Sequence, residues 1–292
     1  MKGPQKHGLA GGARPARADW TVDQGWAAYT PAEHAVWKTL FERQSRLLQG
    51  RACDEFIEGM QHLPISAERI PNFEELSEVL MQRTGWQVVA VPGLVPDEVF
   101  FEHLAHRRFP AGQFIRKPHE LDYLEEPDVF HDVFGHVPLL MNPVMADYLQ
   151  AYGQGGLRAQ GLGMLDKLAR VYWYTVEFGL VQQADGLRIY GAGIASSAAE
   201  TVFALEDESP QRLRFELERV MRTNYRIDDF QESYFVVDHL DALLALARID
   251  FAPVYQRAQG AELEPGDRLA SDTVISAGTG RYHAGKRGGQ AA

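Results

Sequence analysis

This sequence predicts a single domain of the mainly α class with a few short β strands. Apolar residues repeat at helical spacing through most of positions 20 to 258, and capping signals punctuate those runs. No internal repeat and no Pro/Gly/Ser linker divides that stretch. The 292 residues are 45% hydrophobic and 24% charged, which is ample for one sizeable core.

The elements follow in chain order. Residues 1–18 are rich in Gly, Pro, Lys and Arg and read as a disordered N-terminal tail, residues 19–259 as the folded domain, and 260–292 as a flexible C-terminal tail. Thr30-Pro31-Ala32-Glu33 is a capping box with proline at the first helical position. Val36, Trp37, Leu40, Phe41 and Leu47 then recur at helical spacing up to Gly50. A second helix opens at Asn72, with Glu75 three residues on and Gly85 as its stop. Residues 87–91 read as a strand closed by Pro92-Gly93, 97–108 as a helix and 113–116 as a short extended piece. Helices are expected at 127–136, 143–159 and 164–182, a strand at 187–190, and a helix from Ser197. Helices near 210–222 and 238–257 flank a possible strand at 234–237.

Composition excludes several function classes. No run approaches the roughly 18 apolar residues of a membrane span. The basic N-terminus has no apolar core, so it is not a secretory signal. Cys53 is the only cysteine, which rules out a disulfide framework and a four-cysteine zinc site and suits a reducing cytoplasm. The net charge of -11 argues against nucleic acid or an anionic membrane as partner. A soluble, cytoplasmic protein acting on small molecules is expected.

Two segments carry chemistry. His131-Asp132-Val133-Phe134-Gly135-His136 places two histidines five residues apart. Such a step rotates about 140° around an ideal α-helix, so the rings converge only if the helix ends between them, which Gly135 permits. The zinc-protease pattern needs a four-residue step with Glu after the first His, and it is absent here. The second segment, 171–181, is apolar on every helical face except for Glu177. A buried carboxylate must be paired, hydrogen-bonded or metal-bound. Two histidines and one carboxylate form the facial triad of non-haem Fe(II) oxygenases, with open positions for dioxygen and substrate. Zinc with three protein ligands and a water remains open on the same residues.

The segments EPDVFHDVFGHVPLL (126–140), VYWYTVEFGL (171–180) and YGAGIASS (190–197) resemble the signature segments of the tetrahydrobiopterin-dependent aromatic amino acid hydroxylases, in family order and spacing. The resemblance runs from about Trp20 to Ala258 and leans to the bacterial, phenylalanine-hydroxylating branch. It implies that residues 19–259 form a catalytic domain, without the regulatory domain and tetramerisation helix of the animal enzymes, and hence a monomer. It also implies that His131, His136 and Glu177 bind Fe(II). Arg116 would bind the carboxylate of the amino acid, Gly193 and Ser196 would line that end of the pocket, and Pro127 and Trp173 would wall the aromatic ring. Tetrahydrobiopterin, or a related tetrahydropterin, would meet Gly93, Leu94 and Val95 through their backbone, stack on Phe100 and lie near Tyr172. The implied reaction turns L-phenylalanine, tetrahydropterin and dioxygen into L-tyrosine and a hydroxylated pterin, with tryptophan as the alternative substrate. The chain departs from the animal pattern at Asp132, where Glu is common, and at Tyr123-Leu124-Glu125-Glu126, where a Thr-Pro stretch is usual.

Rival readings have specific weaknesses. A 2-oxoglutarate oxygenase uses the same triad, but with a His-x-Asp pair on a strand-built barrel. Gly191-Ala192-Gly193 after a strand could open a dinucleotide site, yet the third glycine and the βαβ alternation are missing. A metal-stabilised binding protein without turnover would use four protein ligands and leave no open position.

Overall fold

The computed structural model describes residues 17–289 except 123 and 125. The expected N-terminal tail therefore lies almost wholly outside the described residues, as do two of the four departures at 123–126. The first half comprises α1 (Pro31–Leu47), α2 (Asp54–His62), α3 (Phe73–Arg83), β1 (Gln87–Val91), α4 (Asp97–Ala105) and β2 (Arg108–Gly112). Local chemistry fixes the starts. The Thr30 hydroxyl accepts from Glu33 N–H at 3.2 Å while the Glu33 carboxylate accepts from Thr30 N–H at 2.7 Å. The Asn72 side chain accepts from Glu74 N–H at 2.8 Å, and Gly85, at φ 75°, takes the chain out of α3. Strands β1 and β2 pair in parallel across α4.

Next comes a seven-residue π-helical turn, Phe130–His136, running into a 3₁₀ turn, Val137–Met141. Two helices follow, α5 (Pro143–Leu162) and α6 (Leu165–Tyr172), and α6 passes into a second π turn, Trp173–Glu177. The remainder comprises β3 (Leu180–Gln183), β4 (Gly186–Ile189), α7 (Ala192–Ala195), α8 (Ala198–Glu206), β5 (Gln211–Arg214), α9 (Leu217–Arg222), β6 (Ser233–Val237), α10 (Asp241–Leu246), α11 (Phe251–Arg257), β7 (Val274–Ser276) and α12 (Arg281–Gly289). The five strands form one sheet in the order β4-β3-β6-β5-β7, parallel inside and antiparallel at both edges. Helices outnumber these short strands, in keeping with the mainly α class.

The core seats the first π turn. Phe130 and Phe134 stack at 4.8 Å on its inner face, Trp37 and Phe41 of α1 meet them edge-on at 5.4 and 5.7 Å, and Phe56 of α2 closes on Phe134 at 6.1 Å. With both phenylalanines anchored, the histidine-bearing face can only point the other way.

Several sequence expectations need correction. The helix expected over 164–182 stops at Glu177, because the chain must turn out into β3. Residues 211–214, expected in a helix, pair as β5 beside β6. Strand β2 at 108–112 was not expected, and the extended piece expected at 113–116 follows it beside 128–129, with Val129 N–H donating to Phe114 O at 2.8 Å. Residues 260–289 do not form the expected flexible tail: β7 joins the sheet and His283 of α12 is buried.

Candidate metal centre and active site

The first π turn supplies both histidines. A π-helix closes hydrogen bonds from i to i+5, so residues five apart stack on one face. His131 and His136 thus converge without the helix ending between them, contrary to the expectation that Gly135 would break it. Gly135 serves close packing instead: a Cβ there would lie 2.9 Å from Ala192 O. The second π turn brings in Glu177 at its last residue. His136 Nε2 is 3.2 Å from His131 Nε2 and 3.2 Å from Glu177 Oε1, and His131 Nε2 is 3.6 Å from Glu177 Oε2.

These spacings suit a metal ion. Ligands at about 2.1 Å stand roughly 3.0 Å apart on an octahedral face and about 3.4 Å apart in a tetrahedron. Among the described residues this is the one His/Cys/Asp/Glu group with donor atoms so gathered, all within 4.8 Å of one another. The protonation states agree. Burial pulls His131 down to about 4, leaving a neutral ring with a free lone pair. Burial acts to raise Glu177, but its contacts with the two histidine rings and a hydrogen bond from Gly193 N–H outweigh it, so the carboxyl sits below its ordinary value. The supporting contacts orient the rings. Ser196 Oγ lies 2.9 Å from His131 Nδ1, which leaves Nε2 facing the triad, and His131 N–H donates to Asp128 at 3.0 Å. Asp132 accepts from Gly112 N–H at 2.7 Å, and burial pushes its carboxyl up to about 7.

A cavity of about 520 Å³ opens on His131 and Glu177 of the triad. Arg116, Pro127, His131, Trp173, Glu177, Gly193 and Ser196 all border it, so seven of the expected site residues meet around one space. Arg116 arrives already engaged: its Nε and Nη2 donate to the two oxygens of buried Asp128, each at 2.9 Å. The Trp173 indole stacks on Tyr225 at 4.3 Å and donates to Gln231 Oε1 at 2.9 Å. The residues expected around the pterin lie to one side. Phe100 meets Tyr172 edge-on at 5.8 Å, and Tyr172 lies near-parallel to His136 at 6.4 Å. Leu94 N–H donates to Glu126, which borders the cavity, at 3.4 Å, and a Cβ on Gly93 would crowd the same carboxylate at 2.7 Å.

Sequence reasoning missed Gln231, Glu200 and Lys286, which border this space, and Asp128, which holds Arg116 from behind it. Asp128 had a signal, an acid between Pro127 and His131. The others come from segments distant in the chain and carried none.

The comparisons agree with this geometry. Residues 24–265 match the model of the biopterin-dependent aromatic amino acid hydroxylases. Phenylalanine-4-hydroxylase from Caulobacter vibrioides is 61% identical over 277 residues, 94% of this chain and 94% of the relative. The crystal structure of Chromobacterium violaceum phenylalanine hydroxylase with bound oxidised Fe(III) superposes with a TM-score of 0.87 at 55% identity, covering 89% of this chain and 96% of that one. A structure of the same enzyme with iron and phenylalanine bound gives 0.85 at 54% identity, covering 89% and 96%. With a matching family model over most of its length and a triad fit for metal at its centre, this chain belongs to the biopterin-dependent aromatic amino acid hydroxylases.

Proposed function

We propose that this chain is an Fe(II)- and tetrahydropterin-dependent monooxygenase that hydroxylates L-phenylalanine to L-tyrosine with dioxygen. One observation carries the residue assignment: two imidazole Nε2 atoms and a carboxylate converge, and two of these residues, His131 and Glu177, line a cavity that also presents an arginine and an indole. His131, His136 and Glu177 hold the iron. Iron and the tetrahydropterin, when bound, supply the activation of dioxygen. The chain's own residues bind, orient and keep water out. Arg116, fixed by Asp128 through Nε and Nη2, is left with Nη1, whose one bond is a long 3.4 Å contact to Leu121 O, to meet the amino acid carboxylate. Ser196 steadies His131, and with Gly193 it closes that end of the cavity. Trp173 and Pro127 wall the substrate ring, and Phe100, Tyr172 and the 93–95 backbone receive the pterin. No step asks these side chains for acid–base chemistry, which fits a site walled by rings and backbone.

Iron-loaded protein, tetrahydropterin and air should turn phenylalanine into tyrosine, measured by chromatography of the products beside parallel incubations with tryptophan and tyrosine. Pterin oxidation without tyrosine, or preferential hydroxylation of tryptophan, would overturn the assignment. His131→Ala, His136→Ala and Glu177→Ala should each retain less than about a tenth of the wild-type iron, read by metal analysis after desalting. We also take the enzyme to be monomeric and cytoplasmic, which light scattering and cell fractionation test. No helix among the described residues is long and apolar enough to cross a membrane.

A further inference from the structure

Helix α12 lies beyond residue 265, where the family match ends, yet it folds back to the mouth of the cavity. Tyr282 packs against Phe230 and Phe203 with ring centres at 5.3 and 5.2 Å, and Phe230 stacks on Phe203 at 4.4 Å. His283 is buried and its Nε2 donates to Phe230 O at 2.8 Å. The Tyr282 hydroxyl and the Lys286 ammonium both donate to Asp229 Oδ1, at 3.0 and 2.9 Å. Three side chains of one helix therefore grip two consecutive residues, Asp229 and Phe230, that border the cavity.

The next residue carries the grip inward. Gln231 is buried, its amide nitrogen donates to Arg226 O at 2.8 Å, and its carbonyl oxygen accepts the Trp173 indole N–H at 2.9 Å. Its backbone N–H donates to Glu200, whose other partner is the Tyr234 hydroxyl. Gln231 is thus the fixed point from which Trp173 hangs, and α12 helps to fix it.

We propose that Tyr282 and His283 are positioning residues for the substrate ring, holding residues 229–231 so that Gln231 sets the plane of Trp173. The proposal rests on reading the cavity as the amino acid site. The Lys286–Asp229 pair is half exposed and secondary, since such pairs contribute little. The aromatic packing and the buried imidazole hold the strap.

The test uses the full-length, iron-loaded protein. Tyr282→Ala, His283→Ala and Gln231→Leu should each raise KM for phenylalanine about fivefold or more, leaving kcat, KM for tetrahydropterin and iron content within about twofold. Tyr282→Phe, which keeps the ring, should stay near wild type. The Tyr282→Ala/Gln231→Leu double variant should be no worse than the poorer single, because both cut one chain of contacts. Unchanged KM for phenylalanine in the single variants, or fully additive effects in the double, would overturn the proposal even if melting temperatures fall. Should a variant fold poorly, backbone amide exchange over residues 226–231 decides in Tyr282→Leu and His283→Gln: loosening confined to that stretch supports the strap, and wild-type protection in both overturns it. A wild-type protein that neither binds phenylalanine in calorimetry nor hydroxylates it would sink the functional reading instead, and the exchange comparison would still judge the strap.

Discussion

Asp128 takes hydrogen bonds from the Arg116 backbone N–H, from Nε and Nη2 of the same arginine, and from His131 N–H, with its carboxylate fully buried. Removing the arginine therefore does more than delete a substrate contact. Arg116→Ala leaves a buried, unpaired charge, which costs about 3–5 kcal/mol. Chemical denaturation should show that loss, and KM for phenylalanine should rise more than tenfold. Arg116→Lys keeps the charge but not the fork, so stability should recover partly and KM hardly at all. From the family likeness alone, Arg116→Ala should weaken amino acid binding and spare iron. The structure ties His131 to the same carboxylate, so a modest loss of iron affinity is expected too, read by competition with a chelator.

At the scale of elements, both metal-bearing turns are π-helical, and that is where sequence reasoning went furthest astray. An α-helix was the natural template for 127–136, and on it the two histidines diverge by about 140°. The i to i+5 geometry brings them together, yet no residue pattern in the sequence marks the widening. Capped helices such as α1 and α3 were legible because Thr30, Glu33 and Asn72 act within their own turns. The triad was legible because Glu177 stands alone among apolar neighbours. Asp128's pairing with Arg116 and the packing of α12 on the rim depend on chain reversals that spacing does not encode. Gly135→Ala tests the first turn: its methyl would press on Ala192 O at 2.9 Å and Cβ at 3.1 Å. A loss of about 1–3 kcal/mol is expected, with weaker iron binding if the turn shifts. Unaltered melting and metal content would mean that α7 yields instead.

For the molecule as a whole, metal occupancy and proton binding set the stability. Fe(II) at about 100 times its Kd should add about 2.7 kcal/mol and raise the melting temperature by roughly 5 °C or more. Scanning calorimetry of apo and loaded protein checks this, and His136→Ala should erase the difference. Glu200 gives a pH term of opposite sense to most carboxylates. Burial pushes it up to about 7, with Tyr234 and the Gln231 N–H opposing and Asp229 adding to the rise. The folded protein thus holds this proton more tightly than the unfolded chain, and stability from this group falls as pH rises from about 4.5 to 7. Up to about 3 kcal/mol is at stake. Glu200→Gln should flatten the profile across that window, and an unchanged slope would place the titration elsewhere.

Cys53, which caps α2, gives its N–H to Ile189 O at 2.9 Å and has none of its side chain exposed. Burial also pushes its thiol up, so the reactive thiolate is doubly withheld. A thiol-specific dye should consequently label the native protein only as fast as its interior opens. With a single cysteine in the chain, the labelling rate in rising urea becomes a built-in stopwatch for that opening. The same clock should slow when iron is added, although the thiol never meets the metal.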